Sequence, residues 1–123
     1  MTNGKKILIV DDDFKTVEVL GMILRRAGYS VVSSFDAYQA VAKAHKEQPD
    51  LIVLDLMMPA GGGMNALNSL KLSTNTNHIP VVILTGIQDA NARQQVLDKG
   101  AKVYLEKPYD ADHLLEVLEK IIG

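Results

Sequence analysis

The chain has 123 residues, 47% of them hydrophobic, which suits one compact core and gives no sign of a linker or a second domain. Its formal net charge is −2 and no Lys/Arg-rich run or basic helix face stands out, so direct nucleic-acid binding is not expected. Cysteine is absent, which excludes disulfides, thiolate metal sites and cysteine nucleophiles. The apolar runs are too short to span a membrane, and Met1 to Lys6 lead straight into a short strand rather than a signal-peptide core, as in a cytoplasmic protein.

In chain order, Ile7-Leu8-Ile9-Val10 is an apolar run that reads as a strand buried on both faces, and it runs into Asp11-Asp12-Asp13. Val17, Leu20, Ile23 and Leu24 then recur at helical spacing until Gly28. Ser30 to Ser34 is a more polar strand, as at a sheet edge, and Asp36 is placed to cap a helix reaching about Gln48. Leu51-Ile52-Val53-Leu54 is the central strand, ending at Asp55. Pro59 to Gly63 reads as a mobile loop before a short helix from Met64 to Leu72. Pro80 opens a fourth strand, Val81 to Leu84, which ends at Thr85-Gly86 and is followed by a helix over Asp89 to Lys99. Val103 to Leu105 forms the fifth strand, and Asp110 caps a last helix through Ile122.

Strands alternating with helices across short connections call for a doubly wound α/β fold with a parallel sheet. The carboxyl ends of such strands share one rim, where ligands bind. Asp11, Asp12 and Asp55 should therefore converge there. Crowded carboxylates repel one another unless a cation intervenes, and oxygen-only donors suit Mg²⁺, with Mn²⁺ as the alternative. Lys107 and Thr85 add a positive charge and a hydroxyl suited to phosphoryl oxygens, and Gly86 leaves room beside them. The set reads as phosphoryl transfer onto a carboxylate. Asp13 fits equally as a helix cap or a third ligand, and His45, His78 and His113 read as surface residues.

The strand ending in Asp11-Asp12, the run Leu54-Asp55-x-x-Met58-Pro59, Leu84-Thr85-Gly86 and Gly100-Ala101-x-x-Tyr104-x-x-Lys107-Pro108 together resemble the receiver domain of two-component response regulators across the whole chain, residues 1–123. The resemblance implies a flavodoxin-like (βα)5 fold with five parallel strands in the order 2-1-3-4-5. It implies Asp55 as phosphoacceptor, and Mg²⁺ held by Asp11, Asp12, Asp55 and the Met57 carbonyl. Thr85, Gly86 and Lys107 would contact the phosphoryl group, and Thr85 and Tyr104 would form the switch. The donor would be a sensor histidine kinase or His-phosphotransfer protein. The receiver would be no enzyme in its own right, while assisting its own phosphotransfer and dephosphorylation. Lys107-Pro108 would be cis.

Two departures stand out: Gly61-Gly62-Gly63 replaces the common Met-Asp-Gly, and the apolar Met57 and Ile87 sit two residues beyond Asp55 and Thr85, where a polar group could orient water. Those two residues should therefore set a long phosphoryl lifetime. The surface of the fourth helix, fifth strand and last helix carries Gln94, Gln95, Lys99, Glu106 and His113, and would meet a downstream protein or a fused output domain. The last helix has no arginine, which favours a protein partner, with the chain itself a monomer or a weak phosphorylation-dependent dimer. Two rival readings are a haloacid-dehalogenase-type phosphatase, suggested by Asp11-Asp12-Asp13, and a degenerate receiver used only for docking. Lys15 stands where the phosphatase needs Thr or Val, and the retained Asp55, Asp11, Asp12 and Lys107 weigh against degeneracy.

Overall fold

A computed structural model describes residues 4–123, apart from the side chain of residue 60. Met1, Thr2 and Asn3, part of the stretch read as lacking a signal-peptide core, lie outside the described residues. The elements are β1 (Lys6–Val10), α1 (Phe14–Arg26), β2 (Ser30–Ser34), α2 (Ala37–Glu47), β3 (Leu51–Leu54), α3 (Gly62–Leu72), β4 (Val81–Thr85), α4 (Ala90–Asp98), β5 (Val103–Glu106) and α5 (Ala111–Ile122). Among the described residues no helix is long and apolar enough to cross a membrane.

All strand pairs are parallel, in the order β2-β1-β3-β4-β5. The period-2 alternation of a strand divides the core between the two faces of the sheet. Leu8, Val10, Ile52, Leu54 and Ile83 pack with α2, α3 and Val96 of α4, whereas Ile7, Ile9, Val53, Val82 and Leu84 pack with α1 and α5. Every residue of β3 and β4 is buried, which explains their unbroken apolar runs, while β2 at the edge keeps its polar residues.

Four aspartates begin helices as expected from their chemistry: Asp13, Asp36, Asp89 and Asp110 each accept a backbone N–H from the first turn of α1, α2, α4 and α5. Asp13 is thus a cap, and its second oxygen accepts the Thr16 hydroxyl at 2.6 Å.

One segment differs from its sequence reading. Pro59–Gly61 is a 3-10 turn and α3 already starts at Gly62, so the glycines belong to an ordered entry rather than a mobile loop. Gly61 supplies φ +66 at the junction, and Gly63 lies so close to the Asp55 carbonyl and the Leu56 Cα that a Cβ would collide with both. The strand-end backbone and the first turn of α3 are therefore packed directly on each other.

Candidate functional site at the carboxyl rim of the sheet

β1 and β3 are neighbours in register, Val10 facing Leu54, so Asp11 and Asp55 leave the sheet side by side. Both are buried, as is Thr85 at the end of β4. Lys107 follows β5, two strands away from β3, and its ammonium reaches over the end of β4 to touch both carboxylates. Nζ lies 2.8 Å from Asp11 Oδ2 and 3.1 Å from Asp55 Oδ2. The Lys107 backbone N–H is tied to the Thr85 carbonyl at 2.8 Å, and the Lys107-Pro108 bond is cis.

The electrostatics follow from this crowding. Burial raises the Asp11 carboxyl above its ordinary value of 3.8 and the Asp55 charge adds to it; the Lys107 hydrogen bond opposes both without overcoming them. For Lys107, burial works against the charge, but the hydrogen bond it donates to Asp11 and the charges of Asp55 and Asp11 outweigh it and raise the ammonium above 10.5. Backbone donors complete the carboxylate shells: the Asp13 N–H bonds Asp11 Oδ1 and the Met57 N–H bonds Asp55 Oδ1, each at 2.9 Å.

Asp12 is not part of this cluster. Side chains alternate in direction past a strand end, so Asp12 emerges exposed at the rim, with no ion pair among the described residues, lining a notch of about 400 Å³ with Phe35, Asp36, Met58 and Pro59. Among the described residues no three acidic side chains already stand at metal-binding spacing. The donor set still fits a hard cation: two buried carboxylates share one ammonium, their donors are all oxygen, and Asp12 opens beside them.

Tyr104 is 6% exposed, with its hydroxyl donating to the Ile87 carbonyl at 2.5 Å. Thr85 Oγ1 is engaged by the Ile87 N–H at 3.4 Å. Met57 is 56% exposed, and its sulfur would stand 3.2 Å from a Cβ built on Gly86.

The sequence pattern of the family described as "Response regulator receiver domain" matches residues 7–119. The chain belongs to the response regulator receiver domain family. As a receiver it is the phosphoacceptor module of a two-component system. It is 38% identical over 110 residues to the DNA-binding dual master transcriptional regulator RpaA of Synechocystis sp., covering 89% of this chain but only 46% of RpaA. Among solved structures, chemotaxis protein CheY4 of Vibrio cholerae superposes with TM-score 0.89 at 29% identity, covering 96% of this receiver and 98% of that chain. The receiver domain of sensor histidine kinase PA1611 from Pseudomonas aeruginosa PAO1 has a magnesium ion coordinated in its active site cleft. It superposes with TM-score 0.88 at 31% identity over 98% of both chains.

Sequence reasoning missed two features of this receiver. Gly63 reads in the sequence only as a loop glycine, yet it lies in the first turn of α3, where a Cβ would collide with the Asp55 carbonyl and the Leu56 Cα. Phe14 and Phe35, the only two phenylalanines in the chain, are exposed and meet edge to face at 5.4 Å beside Asp12. They come from separate elements, so no local pattern pairs them.

Proposed function

We propose that Asp55 accepts the phosphoryl group, delivered by a phosphohistidine on a sensor histidine kinase or His-phosphotransfer protein. The observation that carries this reading is a buried carboxylate at the end of the central strand with a lysine ammonium 3.1 Å away and a buried threonine on the neighbouring strand. An Asp55 oxygen attacks phosphorus, the P–N bond to the donor imidazole breaks, and the electron pair leaves with the imidazole. Lys107 moves from the Asp55 carboxylate to a phosphoryl oxygen, and the Thr85 hydroxyl donates to another. The Met57 N–H holds the carboxylate in place. Asp11, Asp12, Asp55 and the Met57 carbonyl would hold Mg²⁺, or Mn²⁺, which when bound neutralises charge on the phosphoryl oxygens.

Output follows from what phosphorylation pulls. The group adds about −1.5 to −2 charges, which draw in Thr85 and Lys107. Thr85 bears on Ile87, and Ile87 bears on Tyr104, so the message leaves through the α4 entry. α4 buries one side chain, Val96, and is therefore the lightly held element. The face made by α4, β5 and α5 includes a groove of about 240 Å³ between Arg93, Tyr104, Glu106 and His113. A downstream protein or a fused output domain that prefers the shifted face would in turn favour phosphorylation.

Intact-mass spectrometry after incubation with acetyl phosphate and Mg²⁺ tests the core of the reading. One phosphoryl group should add to the wild type and none to Asp55→Asn; uptake by the variant at the wild-type rate would reject Asp55.

A further inference from the structure

Two methionines expose more than half of their surface among the described residues, Met57 at 56% and Met22 at 53%, whereas Met58 is buried at 6%. Their surroundings differ. Met22 stands on the solvent side of α1. Met57 follows β3, its N–H donates to Asp55 Oδ1 at 2.9 Å, and a Cβ built on Gly86 would stand 3.2 Å from its sulfur. The thioether thus points from the β3–α3 connection toward the β4–α4 connection, on the residue whose backbone holds Asp55, and it is open to solvent.

We propose that Met57 is a peroxide-sensitive modification site whose oxidation shortens the life of phospho-Asp55; this rests on Asp55 being the phosphoacceptor. The sulfur lone pair attacks a peroxide oxygen, an S–O bond forms and the O–O bond breaks. The departing hydroxide collects the proton left on the transferred oxygen and leaves as water, so sulfur loses two electrons and the peroxide gains them. The product replaces an apolar thioether, a weak acceptor, with a strong acceptor oxygen. That oxygen can hold and orient a water beside phosphorus, which the thioether cannot.

The test uses hydrogen peroxide on the full chain, peptide mapping for the site, and intact-mass decay after loading with acetyl phosphate and Mg²⁺ and removing the donor. Met57 should oxidise about tenfold faster than Met58, as exposure dictates, and the oxidised protein should lose its phosphoryl group about threefold faster or more. A methionine sulfoxide reductase with a dithiol reductant should restore the untreated decay. Met57→Leu should decay at one rate before and after peroxide, while Met22→Leu should respond as the wild type does. Unchanged decay in protein oxidised at Met57, or equal acceleration in Met57→Leu, would overturn the proposal. Failure of untreated protein to load at Asp55 would overturn the phosphoacceptor reading, and this proposal with it.

Discussion

Lys107 Nζ lies 3.1 Å from Asp55 Oδ2 while it also bonds Asp11 at 2.8 Å, so one ammonium from the end of β5 bridges two carboxylates that follow β1 and β3. Removing it should expose their repulsion. Lys107→Met is expected to lose about 2 kcal/mol of stability, less than the full cost of breaking a buried pair because Lys107 is partly open to water. Urea unfolding should show the loss, and added Mg²⁺ should recover part of it. An unchanged midpoint would mean that the ammonium does not balance the pair.

Mg²⁺ itself should stabilise the wild type by mass action, about 2.7 kcal/mol at a hundredfold excess over its dissociation constant. Asp12→Ala should lose most of this gain, since Asp12 is the carboxylate that stands open at the rim. Melting curves with and without Mg²⁺ provide the comparison, and equal shifts in both proteins would remove Asp12 from the metal site.

The two glycines that open α3 should respond differently to a methyl group. Gly63→Ala drives Cβ into the Asp55 carbonyl and the Leu56 backbone, and should cost about 3 kcal/mol and slow phosphorylation as the strand end shifts. Gly61→Ala meets no atom within 4 Å and pays only for its positive φ, about 1 kcal/mol. Chemical denaturation of the two variants should preserve that order.

Tyr104→Phe deletes the bond to the Ile87 carbonyl and should cost about 1 kcal/mol. Because Tyr104 is already inside, beryllofluoride should shift amide resonances in α4 and around Ile87 more than it moves the Tyr104 ring. Shifts confined to the Asp55 pocket would break the proposed route to α4.

At the opposite end of the sheet, Lys6 Nζ bonds Glu47 Oε1 at 2.9 Å, joining β1 to the end of α2. That hydrogen bond and the Lys6 charge hold the Glu47 carboxyl below its ordinary value of 4.5. A group whose folded pKa is depressed contributes stability above its unfolded pKa and loses it as pH falls through the folded one. Glu47→Gln should therefore be less stable than wild type at neutral pH, with the gap closing below about pH 4.5 as the wild-type carboxyl protonates. A gap that is constant from neutral to acid pH would show that the charge of Glu47 plays no part.

Local physics settled much of this receiver from its residues alone. Apolar runs with no polar position, at Leu51–Leu54 and from Val81, have one stable home, a strand covered on both faces, and such strands separated by capped helices leave their chemistry on one rim. The four aspartate caps are short-range hydrogen bonds, so spacing suffices to place Asp36 and Asp110. What spacing cannot specify is which way a side chain turns after its strand ends and which distant group it meets. Asp12 next to Asp11 turns out of the cluster, Lys107 crosses the end of β4 to reach it, Tyr104 lies inward on Ile87, and the Met57 sulfur comes up to the Gly86 side of the rim. Each of these placements depends on the ends of different strands, and its geometry exists only once strand order, register and the packing of α3 on the Asp55 backbone have brought those ends together.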